Sequence, residues 1–148
     1  MIGRISFWCS WPFWFIYLMI GRRTRVIVAS GDEVLLVRGW LGDGKWGLPG
    51  GGIHKGEDSL TGALRELHEE TGIRLKPGQM KFLGSSVART SGLRFRYDQY
   101  AAVLSGRPAI KPQRLEIIGA EWISVSEISA RNADITTINT LNRWNKHR

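Results

Sequence analysis

The stretch from Gly51 to Ile73 constrains the fold of this chain more than any other. Asp58 is a favoured N-cap residue, and the sequence after it predicts a helix that ends near Thr71. Gly72 follows at the position where a left-handed C-cap glycine belongs. Residues of apolar character recur at intervals of three and four, namely Leu60, Ala63, Leu64, Leu67 and Thr71. We therefore expect one face of this helix to be buried.

Three carboxylates share a neighbouring face of the same helix, because Glu66, Glu69 and Glu70 are spaced as i, i+3 and i+4. Like charges at this spacing destabilise a helix by a few tenths of a kcal/mol, about 0.2–0.5. A solvated acidic face is one interpretation. However, several glycines precede the helix and allow a close backbone approach, at positions 47, 50, 51, 52 and 56. Carboxylates that face such a loop favour a site for Mg²⁺ or Mn²⁺.

The spacing of Gly51, Glu57 and the run Arg65–Ile73 matches G-x5-E-x7-R-E-U-x-E-E-x-G-U at every fixed position. This pattern is the Nudix box, so the chain resembles the Nudix hydrolase superfamily of MutT-like and ADP-ribose pyrophosphatase-like domains. The preceding residues, Trp46 to Gly50, are similar to the family's entry into the box. The resemblance implies an α/β/α sandwich, of α+β or α/β class, with a mixed and curved sheet.

The same resemblance implies a Mg²⁺-dependent pyrophosphohydrolase, with Mn²⁺ as the alternative metal. Its substrate would be a nucleoside diphosphate linked to a nucleotide, a sugar or a phosphate. The implied catalytic set is Glu57, Arg65, Glu66, Glu69 and Glu70. The three helix glutamates would hold the metal together with a backbone carbonyl of Gly50 or Gly51, while Glu57 and Arg65 would brace the loop onto the helix.

Relatives often supply one further carboxylate from a later strand, and Glu116 is the candidate here. Either Glu116 or one of the box glutamates would serve as general base. An ordinary surface glutamate is the alternative interpretation of Glu116.

The charge of the chain, net +8, is distributed unevenly. Gly51–Ile73 carries net −3 and Arg74–Arg114 carries net +8, which suits a polyphosphate ligand held between a metal and arginines. Generic solubility, or non-specific attraction to nucleic acid or anionic lipid, would produce the same imbalance. The candidate substrate-binding residues are Arg38, Trp46, Arg94 and Arg96. The alternative for Arg38 is a charge at a strand end, and for Trp46 it is packing within the loop. For Arg94 and Arg96 the alternative is an exposed face of the sheet.

Two other functions fit the same residues. A non-catalytic, nucleotide-binding regulatory module would usually have an eroded box, whereas this box is intact. RNA-end pyrophosphohydrolysis would use the basic segment, but RNA is not the favoured partner. The sequence contains no second motif that selects one nucleoside diphosphate derivative.

The first residues differ from the rest of the chain in composition, because they are mostly apolar and aromatic. We divide the chain into a hydrophobic aromatic segment, residues 1–23, and one catalytic domain, residues 24–148. Residues 5–20 carry no charge, and as a helix they would span about 24 Å, less than the ~30 Å hydrocarbon core. They predict an interfacial anchor or a membrane span, with the basic residues that follow placing the domain in the cytoplasm, on the membrane's cytoplasmic face. A translation start at Met19, or packing of the segment on the domain, are the alternatives.

The other strands and helices are predicted from local sequence patterns. Arg25–Arg38 predicts a β-hairpin, and further strands are expected at residues 80–88, 94–104 and 117–123. Ser124 and Glu127 have the spacing of a capping box. The closing helix is expected to bury an apolar stripe formed by Ile135, Ile138, Leu141 and Trp144.

Overall fold

A computed structural model describes residues 21–40, 44–90, 93–112 and 117–146. In these ranges a five-stranded sheet has a helix on each face. The elements in chain order are β1 Arg23–Ser30, β2 Glu33–Gly39, α1 Ser59–Thr71, β3 Lys81–Thr90, β4 Leu93–Val103, β5 Ile117–Ser124 and α2 Ile135–Asn145. The predicted segment at residues 5–20, and the candidate Glu116, lie outside the described residues. Among the described residues, no helix is both long enough and apolar enough to cross a membrane.

The sheet is mixed, with the strand order β3-β4-β1-β2-β5. β1 and β4 are parallel, whereas the β1–β2, β2–β5 and β3–β4 pairs are antiparallel. This arrangement confirms the predicted α/β/α sandwich with a mixed sheet. The predicted hairpin, the later strands and the closing helix are all present, with bounds that differ by a few residues.

Both faces of the central strands are buried, which explains their continuous apolar runs. Side chains of β1 alternate across the sheet: Val26 and Val28 pack beneath α1, whereas Ile27 and Ala29 pack beneath α2. Two hydrophobic cores therefore form, one under each helix.

The two strands of the hairpin are paired only near its turn, at Ala29–Val34 and Ser30–Glu33. Beyond that point the glycine-rich loop takes the place of a partner strand. The amide of Val37 donates to the carbonyl of Gly47, and the amide of Val26 donates to the carbonyl of Pro49, both at 2.8 Å. The loop is thus inserted between β1 and β2 and fixed by backbone hydrogen bonds.

The caps of α1 match their prediction. The Asp58 carboxylate accepts from the amides of Leu60 and Thr61, and Gly72 has φ of 77°. The buried residues of this helix are Gly62, Ala63, Glu66, Leu67 and Thr71. The helix therefore buries a glutamate that the apolar pattern had assigned to a polar face.

The C-terminal elements differ from expectation in two details. Ser124 precedes a 3₁₀ turn, but its hydroxyl contacts Asp32 and Ser126, so the predicted capping box does not form. Ile135, expected in the buried stripe of α2, is 50% exposed. The buried face of α2 consists of Thr136, Thr137, Thr140, Leu141 and Trp144. Threonine hydroxyls on this face reach polar partners in the sheet and loop, which an apolar stripe could not do.

Candidate active site

The centre of the site is the contact between Glu66 and the glycine loop. Glu66 projects from α1 and is only 3% exposed. A Cβ atom at Gly51 would lie 2.7 Å from the carboxyl carbon of Glu66, closer than real side chains approach. Glycine at position 51 is therefore what allows the carboxylate to lie against the backbone.

Glu70 binds the same loop one residue earlier. Its carboxylate accepts a hydrogen bond of 2.8 Å from the amide of Gly50. Gly50 has φ of 137°, and a Cβ there would collide with the carbonyl of Thr24. Loop and helix are thus held together by a backbone conformation that requires glycine.

Arg65 connects the loop, the helix and the preceding turn. Its guanidinium binds both carboxylate oxygens of Glu57, at 2.9 and 3.0 Å, and also reaches Glu66 at 2.8 Å and Glu69 at 3.4 Å. It donates to the carbonyl of Gly52 as well, at 2.9 Å. The bracing geometry expected for Glu57 and Arg65 is present, and one guanidinium balances part of the charge of three carboxylates.

These contacts shift the ionisation of the pair. The hydrogen bonds from Arg65 lower the pKa of Glu57 to about 2, while the same bonds raise the pKa of Arg65. Glu57 therefore remains a carboxylate well into the acidic range.

A hard divalent cation fits the donor chemistry of this site. Glu66, Glu69 and Glu70 supply oxygen ligands of the kind that Mg²⁺ and Mn²⁺ prefer, and Gly51 makes space for one of them. The candidate carbonyl ligands also accept hydrogen bonds, Gly50 from Arg25 at 3.0 Å and Gly51 from Thr24 at 2.8 Å. Within the described ranges, no group of three or more acidic, histidine or cysteine side chains is already gathered around one point as a metal site. The ligand set is thus adjacent to the loop but not closed around one point.

Two arginines of β1 belong to this site and were not among the predicted residues. Arg25 donates to Thr136 of α2 and to the carbonyl of Gly50, each at 3.0 Å. The guanidinium of Arg23 lies 5.1 Å from the ring centre of Phe95. Burial and the neighbouring Arg25 lower the pKa of Arg23, and attraction to Glu66 partly offsets this effect.

Both arginines, with Arg22, are the basic residues after residues 5–20 that were interpreted as a membrane-orientation signal. A better signal was available, since residues 23 and 25 of a strand point to the same face and lead into the hairpin before the box.

The predicted substrate-binding residues lie at two positions, the contact between Arg38 and Trp46 and the strand β4. The guanidinium of Arg38 lies 4.9 Å from the ring centre of Trp46, whose ring edge also packs against Gly119. Arg94 and Arg96 are exposed on β4, and Arg96 donates to the hydroxyl of Ser85 at 3.3 Å. The structure therefore brings the box residues together at the loop, while these four side chains lie in separate clusters.

The mixed sheet between two helices and the carboxylate helix against a glycine loop define a protein of the Nudix class. The model of the NUDIX domain matches residues 19–143, and the chain belongs to this family.

Curated relatives agree with this assignment. Nudix hydrolase 7 of Arabidopsis thaliana is 35% identical over 115 residues, which are 74% of this chain and 40% of the plant protein. The chain thus spans about two fifths of that relative's length. A MutT-like protein of Streptomyces ambofaciens is 30% identical over 118 residues, 78% of this chain and 71% of its own. An RNA pyrophosphohydrolase of Brucella anthropi is 47% identical over 53 residues, 34% of this chain and 26% of its own.

Solved structures share the fold at lower identity. The NUDIX domain of Shewanella oneidensis NrtR, complexed with ADP ribose, has a TM-score of 0.74 and 20% identity, covering 85% of this chain and 86% of that one. A bifunctional NMN adenylyltransferase/ADP ribose pyrophosphatase of Francisella tularensis, complexed with AMP and a Mn ion, has a TM-score of 0.74 and 19% identity, covering 93% of this chain and 45% of that one.

Proposed function

We propose that this chain hydrolyses the diphosphate linkage of a nucleoside diphosphate derivative, with Mg²⁺ or Mn²⁺ held by Glu66, Glu69 and Glu70. The observation that carries the proposal is the packing of the Glu66 carboxylate against Gly51, with Glu70 bound to the neighbouring amide of Gly50. A helix that served only as a solvated acidic face would have no reason to bury a glutamate against a glycine backbone.

The charges around the loop suit a diphosphate. When bound, the metal would neutralise phosphate oxygens and lower the pKa of a coordinated water. Arg65 holds the glutamates in place by donating hydrogen bonds to Glu66 and Glu69. Arg23 and Arg25 add two positive charges on the β1 side of the same loop, where they would face the non-bridging oxygens of a substrate.

The remaining chemical role is that of the base that accepts a proton from the attacking water. We assign it to Glu69, as the alternative to its role as a metal ligand, because its side chain is 29% exposed to water, against 4% for Glu66. Glu66 and Glu70 are held against the loop backbone, which favours the ligand role for both. Glu116 remains a candidate from the sequence.

The test compares charge-neutralising variants on one helix face. Glu69→Gln and Glu70→Gln should each lower kcat by at least about 100-fold with an unchanged fold, because a ligand or base loses its charge while the side-chain shape is kept. The control is Glu121→Gln, an exposed glutamate of β5. Turnover would be measured by nucleotide release with Mg²⁺, Mn²⁺ or EDTA, and circular dichroism would report the fold.

The substrate panel would contain ADP-ribose, dinucleoside polyphosphates, oxidised nucleoside triphosphates, nucleotide sugars and a short 5′-triphosphorylated RNA. Reaction in H₂¹⁸O would locate the attacked phosphorus by mass spectrometry. Wild-type turnover in either glutamine variant would overturn the metal assignment. Tight nucleotide binding without turnover across the panel would instead establish a binding module.

A further inference from the structure

A groove between α2 and the edge strand β3 lies outside the residues assigned so far. Its volume is about 670 Å³, and its helical side is formed by Asn139, Asn142, Arg143 and Lys146. These positions are spaced as i, i+3, i+4 and i+7, so one stripe of α2 and its C-cap residue, Lys146, carries two amides and two cations. Among the described residues that line the groove, none is acidic.

Arg143 is fixed in this groove by the shape of β3. Its guanidinium donates to the carbonyl of Leu83 at 3.3 Å and to the hydroxyl of Ser86 at 3.0 Å. A Cβ atom at Gly84 would collide with the guanidinium, and Gly84 has φ of 125° at a register shift in the strand. The strand therefore makes a recess for the arginine by combining a bulge with a glycine.

A guanidinium has five N–H donors, so two hydrogen bonds to the protein leave others for a ligand. The other wall of the groove adds little competing charge, because it consists of Ser85, Ser86 and Val87 of β3. Cations and side-chain amides, with no acid among the described lining residues, form a surface that suits phosphate oxygens.

The groove and the candidate active site are both bordered by α2. Thr136, at the start of the helix, accepts a hydrogen bond from Arg25. Asn142 and Arg143 lie six and seven residues further on, which is about 10 Å at the rise of an α-helix. An arm of about this length would be needed to join a diphosphate at the glycine loop to a group bound in the groove.

We propose that the groove binds a phosphate group carried by the arm of the substrate that is not attacked. This assignment rests on the proposed hydrolase function for the identity of the substrate, but the groove's affinity for phosphate can be measured without turnover. It narrows the substrate class to nucleoside diphosphate derivatives with an additional phosphate beyond the cleaved linkage. Dinucleotides with a phosphorylated ribose, longer polyphosphates and short RNA share this chemistry.

The direct test is a titration of the full chain with inorganic pyrophosphate in EDTA, so that no metal recruits phosphate to the glutamates. Nitrogen-15 NMR would follow the side-chain amides of Asn139 and Asn142 and the Nε–H of Arg143. We expect saturable shifts at these groups. Asn142→Asp, which keeps the size of the exposed side chain and adds a negative charge, should weaken the affinity at least about tenfold. Arg131→Gln, which removes an exposed arginine before α2, controls for net charge.

Absent or non-saturating shifts, or equal affinity in Asn142→Asp, would overturn the proposal. A second experiment compares the binding of NADPH and NADH to the Glu70→Gln protein, since these two dinucleotides differ by one phosphate. Tighter binding of NADPH, lost in Lys146→Gln, would indicate that the phosphate in the groove belongs to a dinucleotide. Preference for 5′-triphosphorylated RNA would indicate that it belongs to RNA. Saturable binding of pyrophosphate in a protein that hydrolyses nothing would leave the groove established and the hydrolase function refuted.

Discussion

The two helices hold the same glycine loop from opposite faces of the sheet, and they do so with different chemistry. α1 binds it through carboxylates, with Glu66 against Gly51 and Glu70 on the amide of Gly50. α2 binds it through neutral hydroxyls, since Thr137 accepts from the amide of Leu48 at 2.9 Å. Neutral hydrogen bonds fix position independently of pH and metal, whereas carboxylates also carry the charge that chemistry requires. Under the proposed function, α1 would supply the reactive groups and α2 would only hold the loop in position.

The largest effect should come from Gly51→Ala, which forces a methyl group onto the Glu66 carboxylate. We expect kcat to fall by at least about 100-fold and the free energy of unfolding to fall by about 1–3 kcal/mol, because a buried charge must move. The matched control is Gly52→Ala, where a Cβ meets no atom within 4 Å. Turnover assays and urea denaturation would measure both. Equal behaviour of the two variants would contradict the close approach of helix and loop.

A smaller effect, dependent on pH, is expected from the Glu57–Arg65 brace. The pKa of Glu57 is about 2 in the folded protein and 4.5 for the free group, so its ionisation favours folding above pH 4.5. That stabilisation is lost progressively as the pH falls from 4.5 towards 2. Because the pair is partly solvated, we expect about 1–2 kcal/mol.

Urea denaturation at pH 7 and pH 3 would measure this difference for the wild type and for Glu57→Gln. The variant should lose stability at pH 7 and converge with the wild type at the acidic end. A constant gap between the two proteins at every pH would rule out ionisation of Glu57 as the cause.

The smallest effect should come from the α2 side, in Thr137→Val. This isosteric change leaves the amide of Leu48 without its hydroxyl acceptor and should cost about 1–2 kcal/mol of stability. Turnover should change by less than about tenfold, since no charge near the substrate is removed. Thr61→Val provides the comparison, since it also removes one hydroxyl hydrogen bond, to Asp58, but at an exposed position of α1. A loss of turnover as large as that of the glutamate variants would show that α2 shares in the chemistry.

Much of α1 could be predicted from sequence because its signals are local. The cap at Asp58, the left-handed Gly72 and the spacing of the box all depend on neighbouring residues, and each was found as expected. The pairing of Arg65 with Glu57 was also expected, whereas its contacts with Glu66, Glu69 and Gly52 were not.

Contacts between residues that are distant in the sequence were harder to predict. Burial of Glu66 depends on Gly51 folding back beside it, so helical periodicity alone assigns this glutamate to a polar face. The role of Arg25 depends on Thr136, more than one hundred residues away in sequence, and no local pattern marks that pair. Ile135 is exposed because threonines of α2 are needed as hydroxyl partners on the buried side.

The insertion of the loop between β1 and β2 has a consequence for local unfolding. Its carbonyls at Gly47, Pro49 and Gly51 accept from amides of the two central strands. Opening the loop therefore breaks hydrogen bonds of the central sheet, unlike the opening of a surface lid. The amides of Thr24, Val26 and Val37 should exchange with solvent only when this part of the sheet opens. The glycine loop and the sheet core would then form a single cooperative unit, so the candidate site would be lost only when the centre of the domain unfolds.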